Sequence, residues 1–133
     1  MLARYRLKQA EESIDEAIFL FAGHKSTRSI INRAYYAMFY AVLALLVFES
    51  YGSSKHSGIL SYFNQRFIKG EIFAEELGRS INNAFELRQR GDYREYAELA
   101  LEQAKPFIEK ARVFIDAIKV YLERTVFSDS ASI

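Results

Sequence analysis

The stretch N-R-A-Y-Y-A-M-F-Y-A-V-L-A-L-L-V-F, residues 32–48, decides the fold of this chain. Residues 34–48 carry no charge. As a helix, those residues span about 22 Å, which is short of the roughly 30 Å hydrocarbon core of a bilayer. A helix that is apolar on every side is buried on every side. The stretch therefore predicts the central helix of a helical protein, and no membrane partner is expected.

Small side chains recur along this helix with helical spacing. Ala34, Ala37, Ala41 and Ala44 are separated by three, four and three residues, so a neighbouring helix can approach them closely. A chain of 133 residues makes one domain, and a domain of that size rarely covers one helix on all sides. We therefore expect a second copy to cover part of it in a two-fold homodimer. The alternative is that the chain's other helices suffice.

Apolar residues recur every three or four positions in the rest of the chain too, and no run alternates with period two. Glycines fall between the periodic segments, as at helix ends. We expect Pro106 to kink the last helix. The sequence predicts an all-α fold, an antiparallel up-and-down bundle of four to five helices, with a single domain at 1–125 and a flexible tail at 126–133. The predicted helices cover about residues 3–22, 27–50, 59–69, 73–90 and 95–124.

Composition narrows the classes of function. The chain has no cysteine and a formal net charge of +1. Disulfides and zinc–thiolate sites are thereby excluded, and a reducing cytoplasmic location is expected. The near-neutral charge argues against wrapping by nucleic acid, although it allows a local basic site. No secretory signal is visible at the N-terminus. Neither cofactor nor metal is predicted, because the acidic residues of the first helix lack an E-x-x-H partner.

Three segments, in order, resemble a family of small uncharacterised prokaryotic HEPN-domain proteins. They are N-R-A-Y-Y-A-M-F-Y-A-V-L-A-L-L at 32–46, K-H-S-G-I-L-S-Y-F at 55–63, and L-R-Q-R-G-D-Y at 87–93. The resemblance implies a dimeric helical bundle that acts with a small nucleotidyltransferase in a toxin–antitoxin-like pair. It also implies kinship with metal-independent endoribonucleases. Those enzymes use an Arg and a His, spaced R-x4–6-H, at a cleft between two subunits.

This chain departs from that spacing. Counting from Arg88, the histidine positions fall on residues 93–95, which are Tyr, Arg and Glu, and the only histidines are His24 and His56. A neutral imidazole can accept the proton of a ribose hydroxyl near pH 7, whereas a tyrosine, with a pKa near 10, is a poor base there. Arg88, Asp92 and Tyr93 remain the catalytic candidates that the resemblance offers.

The segment Arg88–Tyr93 also has a plain structural interpretation. Arg88 and Arg90 complement the dipole at a helix C-terminus, Gly91 ends the helix, and Asp92 holds the turn. In the functional interpretation, Arg88 or Arg90 binds a phosphate and Tyr93 contacts a nucleotide.

Two further groups are candidate ligand-binding residues. Asn32 and Arg33 begin the apolar helix, and Asn32, Tyr36 and Tyr40 form a stripe along it at four-residue spacing. These residues either line a cleft for a base or ribose or satisfy buried polar groups.

Lys55 and His56 lie in a predicted loop before a helix start, where free amides favour anions. Ser54 or Ser57 is the expected N-cap. His56 is a displaced base only if its loop reaches the Arg88 cleft, and otherwise it is a surface or capping residue. His24 is interpreted as a helix-end residue.

These patterns leave three hypotheses. The leading one is a HEPN-type nucleotide- or RNA-binding module with a nucleotidyltransferase partner in a toxin–antitoxin-like system. The second is a metal-independent endoribonuclease toxin whose R…DY site replaces the usual histidine motif. The third is a dimeric assembly partner without a ligand.

Overall fold

The architecture is all-α, as the sequence predicts. The computed structural model describes residues 1–90 and 99–127, except the side chain of Arg90, and these residues contain no strand. We name the helices α1 to α5 in chain order. Their bounds are α1 Leu2–Ala22, α2 Thr27–Leu46, α3 His56–Phe63, α4 Glu75–Arg90 and α5 Lys105–Leu122.

α1 and α2 form an antiparallel pair joined by a short turn. The Ser26 hydroxyl caps α2 by accepting a hydrogen bond from the amide of Ser29 at 3.3 Å. Glu16, late in α1, pairs with Arg33, early in α2, at 3.4 Å, as antiparallel packing requires. His24 lies in the left-handed region with φ 54°, and the amide of Lys25 donates to the carbonyl of Leu20. His24 is therefore the helix-end residue that the sequence predicted.

α2 is the central helix. All four alanines of its seam are fully buried, and α1, α4 and α5 all pack against it. Twelve of its twenty residues are buried by the same chain. The other helices therefore cover more of α2 than the sequence argument supposed. α2 is long and apolar enough to cross a membrane by length and composition, but its burial inside the bundle explains that composition.

Several helix boundaries differ from the predictions. α2 ends at Leu46 instead of about residue 50, and α4 begins at Glu75 instead of 73. α3 starts at His56 and continues as a π-helical turn over Asn64–Ile68, in which the amide of Lys69 donates to the carbonyl of Asn64 at 2.8 Å. Asn64 also exchanges hydrogen bonds with Asn82 of α4, at 3.0 and 3.3 Å, which ties this turn to α4.

The prediction that Pro106 kinks the last helix is wrong. A 3-10 turn at Leu101–Ala104 precedes α5, which begins at Lys105, so Pro106 lies in the first helical turn. A proline there removes a donor that has no intrahelical acceptor in any case. The predicted residues 95–98 of this helix lie outside the described part of the chain. After α5, a π-helical turn runs over Glu123–Phe127. Phe127, which the sequence assigned to the flexible tail, is buried beneath the guanidinium of Arg4.

An ion-pair cluster joins α1 to α5. The carboxylate of Glu11 contacts Arg112 Nη1 at 2.9 Å and Lys119 Nζ at 3.3 Å. Burial alone would raise the pKa of Glu11, but the hydrogen bonds and charges of Arg112 and Lys119 lower it below its usual value. The ionised carboxylate is therefore favoured in the folded state.

We predict that Glu11→Gln lowers the free energy of unfolding at pH 7 by about 1 kcal/mol. Because the folded-state pKa is depressed, this contribution is present above the unfolded-state pKa and is lost as the pH falls through the folded-state value. The difference from the wild type should therefore shrink as the pH is lowered below the ordinary glutamate pKa of 4.5. Urea unfolding across pH measures it. Glu12→Gln, an exposed neighbour on α1, is the control, and an equal loss for both variants would contradict the prediction.

Candidate functional site

Arg88, in the last turn of α4, lies against two tyrosine rings of α2. Its Nη2 donates a hydrogen bond to the hydroxyl of Tyr36 at 2.8 Å. Its guanidinium carbon is 5.1 Å from the centroid of the Tyr36 ring and 5.4 Å from that of Tyr35. The Arg88 side chain is therefore held both by a hydrogen bond to Tyr36 and by cation–π attraction to the two rings. The tyrosines therefore position the cation that the family resemblance singled out.

Arg33 approaches the same tyrosine. Its guanidinium carbon lies 5.0 Å from the centroid of Tyr36, and its Nη1 pairs with Glu16. Tyr36 thus has two guanidinium groups within contact distance of its ring. Tyr40 packs one turn further along, 5.9 Å from Tyr36 between ring centroids. These residues form one partly exposed face of α2.

His56 also reaches this site. Its Nδ1 lies 2.8 Å from the hydroxyl of Tyr35, and its ring stacks on Phe39 with centroids 4.0 Å apart and planes 12° apart. Its ring meets Tyr36 edge-on at 5.9 Å. The adjacent tyrosines 35 and 36, at the middle of α2, therefore hold His56 and Arg88, respectively.

The environment of His56 keeps its imidazole neutral at pH 7. Burial lowers the pKa of His56 below its ordinary value of about 6.5, and the positive charge of Arg88 lowers it further. Burial raises the pKa of the Tyr35 phenol well above its ordinary value, so this hydroxyl stays protonated. Both members of the Tyr35–His56 pair are therefore uncharged near pH 7.

The sequence placed Lys55 and His56 in a loop, which is wrong for His56. It is the first residue of α3, and its side chain packs on α2. Lys55 is the N-cap residue and is exposed, and no side chain caps the helix, so neither Ser54 nor Ser57 has the expected role. Histidine packs here because Phe39 supplies a flat apolar surface and Tyr35 a polar partner. Neither contact was visible in the sequence, since His56 is 21 residues from Tyr35 along the chain.

A polar cavity opens beside Arg88. It has a volume of about 370 Å³, and among the described residues it is lined by Arg28, Asn32, Arg88 and Gln89. Two guanidinium groups and two amides therefore face one space. A volume above 300 Å³ is in the range of small-ligand pockets. Asn32 and Arg88 were predicted ligand-binding residues, and the structure places them together.

Arg28 and Gln89 were missed by the sequence analysis. Arg28 lies one helical turn before Asn32, on the same face of α2, so the four-residue spacing could have indicated it. Gln89 follows Arg88 directly, but no sequence pattern distinguishes it from a surface residue. Tyr35 was not among the predicted site residues, and its hydroxyl contact with His56 appears only in three dimensions.

Some predicted site residues lie outside the described part of the chain. These are Asp92, Tyr93 and the side chain of Arg90. Among the residues that the structure does describe, no cluster of three or more His, Cys, Asp or Glu could hold a metal ion. The described site consists of arginines, amides, tyrosines and one neutral histidine, which suits an oxyanion better than a cation.

A helical bundle of this kind is what the sequence motifs suggested. The HEPN domain family matches residues 3–121, and the chain belongs to this family. A UPF0332 protein of Thermotoga maritima is 41% identical over 107 residues, which cover 80% of each chain. A Methanocaldococcus jannaschii protein named "Putative toxin" is 35% identical over 99 residues, covering 74% of this chain and 67% of its own. A second protein of that name and organism is 34% identical over 105 residues, covering 74% of this chain and 78% of its own.

We predict that Arg88→Gln raises the pKa of His56. The substitution removes the positive charge that lowers this pKa and leaves the burial of the imidazole in place. A proton NMR titration of the two histidine rings measures it, and His24→Gln assigns the signals. Arg79→Gln, on the exposed side of the same helix, is the matched control. An unchanged His56 pKa in Arg88→Gln would contradict the described proximity.

Proposed function

We propose that this chain is a toxin-like HEPN module that binds a phosphate of a nucleotide or RNA in the cavity beside Arg88. The observation that carries the proposal is the convergence of Arg28, Asn32, Arg88 and Gln89 on one cavity. Guanidinium groups bind phosphate oxygens with paired, charge-assisted hydrogen bonds. A single cavity needs only a local concentration of positive charge, so the site is compatible with the chain's formal net charge of +1.

The neighbouring groups suit the rest of a nucleotide. Amides such as those of Asn32 and Gln89 offer both a donor and an acceptor to a base edge or a ribose hydroxyl. Partly exposed aromatic rings, here Tyr36 and Tyr40, are the surfaces on which unpaired bases stack in RNA-binding proteins. The site therefore favours a free nucleotide or single-stranded RNA over a duplex.

The proposal also includes a protein partner. Relatives named "Putative toxin" support a role as one half of a toxin–antitoxin-like pair. We propose that the other half is a small nucleotidyltransferase. We also propose that the pair acts in the cytoplasm, where proteins do not depend on disulfides and a chain without cysteine is ordinary. Co-expression with a nucleotidyltransferase encoded beside it, followed by size-exclusion chromatography, tests this partnership. Separate elution of the two proteins would reject it.

We predict that Arg88→Ala weakens binding of AMP and of a short single-stranded RNA at least tenfold. Loss of a charge-assisted hydrogen bond costs about 1.5–3 kcal/mol, and 1.4 kcal/mol corresponds to tenfold. Calorimetry or fluorescence anisotropy at fixed salt measures it. Arg79→Ala, an exposed ion-paired arginine on α4, is the control for charge alone. Equal binding by wild type and Arg88→Ala would reject the site, and no binding by either would favour the ligand-free assembly hypothesis.

A second candidate function is RNA cleavage without metal. The observation in its favour is that the neutral His56 and Arg88 are held by adjacent tyrosines, so a relocated histidine accompanies the arginine. Incubating the same variants with RNA in EDTA separates the two functions. Cleavage by the wild type that is lost in both Arg88→Ala and His56→Ala would establish the enzyme.

The homodimer is the remaining part of the proposal. Tyr36, Tyr40, Leu43 and Val47 follow each other by four, three and four residues, and they form the face of α2 that the chain leaves partly exposed. A copy packed by a two-fold axis across Leu43 and Val47 would cover the apolar part of this face and leave the Tyr36 and Tyr40 rings accessible at the edge of the interface. Because Arg88 contacts Tyr36 on this face, the two Arg88 sites would then lie near each other.

We predict that Leu43→Glu gives a monomer, because a charge in an apolar interface is costly to desolvate. Sedimentation of the wild type and the variant measures the change. Val113→Glu, which places the same charge at an exposed apolar position on α5, is the control. A monomeric wild type at high concentration would rule out the dimer.

A further inference from the structure

The Tyr35–His56 hydrogen bond determines which ring nitrogen of His56 carries the proton. The Tyr35 side chain is fully buried, and its hydroxyl lies 2.8 Å from His56 Nδ1. A buried hydroxyl must donate its proton to an acceptor or lose about 1–3 kcal/mol. Among the described residues, Nδ1 is the acceptor that the structure provides.

The surroundings of this pair disfavour the opposite placement of the imidazole proton, on Nδ1 instead of Nε2. If Nδ1 carried the proton, it would donate to the Tyr35 oxygen, and the phenol proton would need a second acceptor. Among the described residues, the groups around the Tyr35 ring are the rings of Tyr36, Phe39 and Phe85 and the guanidinium of Arg88, which is a donor, and His56 is the hydrogen-bond partner of the Tyr35 hydroxyl. Aromatic faces are weak acceptors. The phenol therefore donates to Nδ1.

We propose that Tyr35 is a positioning residue that holds neutral His56 in the Nε2–H tautomer, so that His56 presents a hydrogen-bond donor to an oxyanion and not a general base. In imidazole the two nitrogens point away from each other, so Nε2 faces away from the buried phenol while the ring remains partly exposed. The role of His56 toward a ligand rests on the proposed phosphate site. The tautomer itself does not.

This assignment bears on the choice between the two candidate functions. A base at Nε2 needs a lone pair there, which the Nε2–H tautomer lacks. Switching tautomers would leave the Tyr35 proton without a good acceptor. The same tautomer presents a donor at Nε2, and a ligand that extends beyond the residues lining the cavity, of which His56 is not one, could accept a hydrogen bond from it. The Tyr35–His56 pair therefore suits binding better than cleavage.

The test is the ¹H–¹⁵N long-range NMR spectrum of the wild-type protein at pH 7.5, in which the two neutral tautomers give different coupling patterns. His24 serves as the internal reference, and His24→Gln assigns the signals. We expect the Nε2–H pattern for His56 in the wild type and a mixture of tautomers in Tyr35→Phe. Tyr5→Phe, at an exposed position on α1, is the control. An Nδ1–H pattern in the wild type, or an unchanged Nε2–H pattern in Tyr35→Phe, would overturn the proposal.

Binding of AMP tests the role of the donor. The glutamine amide in His56→Gln can donate near the Nε2 position but cannot act as a base, so we expect affinity within about threefold of the wild type. His56→Ala should lose about tenfold, the equivalent of one hydrogen bond. Equal losses in the two variants would reject the donor role. If the wild type binds no AMP, the proposed phosphate site fails, while the NMR spectrum still decides the tautomer.

Discussion

Close packing around the alanine seam of α2 is the constraint on which the rest of the structure depends. Ala34, Ala37, Ala41 and Ala44 have no exposed surface, so neighbouring helices approach the α2 backbone closely. Such an approach leaves no room for larger side chains at these positions, since interiors are packed to the density of organic crystals. The start of α3 and the end of α4 both meet the two adjacent tyrosines at the middle of α2. The site is therefore a consequence of how α2 is buried.

The adjacent residues Tyr35 and Tyr36 connect this packing with the candidate site. Successive residues of a helix point in directions about 100° apart, so two adjacent tyrosines reach different neighbours. Tyr35 points into the core and holds His56 of α3, while Tyr36 lies at the edge and holds Arg88 of α4. Each ring contributes apolar contact area and each hydroxyl one hydrogen bond. Two candidate site residues that are 32 residues apart in sequence, His56 and Arg88, thereby contact the same helix.

The fold could be read from the sequence because it depends on patterns that are local to each helix. The apolar run of α2, its alanine spacing and the glycines between helices gave the class and the approximate bounds. The misplaced boundaries have physical causes. Periodicity cannot separate a π-helical turn such as Asn64–Ile68 from an α-helix, and it cannot tell whether Pro106 lies inside a helix or in its first turn. Both depend on how the flanking segments pack.

The site was only partly predictable, because its contacts join residues that are distant along the chain. Motif spacing pointed to Arg88, and the four-residue stripe on α2 pointed to Asn32 and Tyr36. The position of His56 relative to Arg88 depends on where α3 begins and how it leans on Phe39, which no local pattern encodes. The histidine of the R-x4–6-H spacing is absent, and yet the site contains an imidazole. A residue from α3 occupies the neighbourhood instead, but its Nδ1 is engaged by a phenol that needs an acceptor. In the proposed tautomer this imidazole carries a hydrogen at Nε2, and hydrogen-bond donors suit the binding of an oxyanion better than its cleavage.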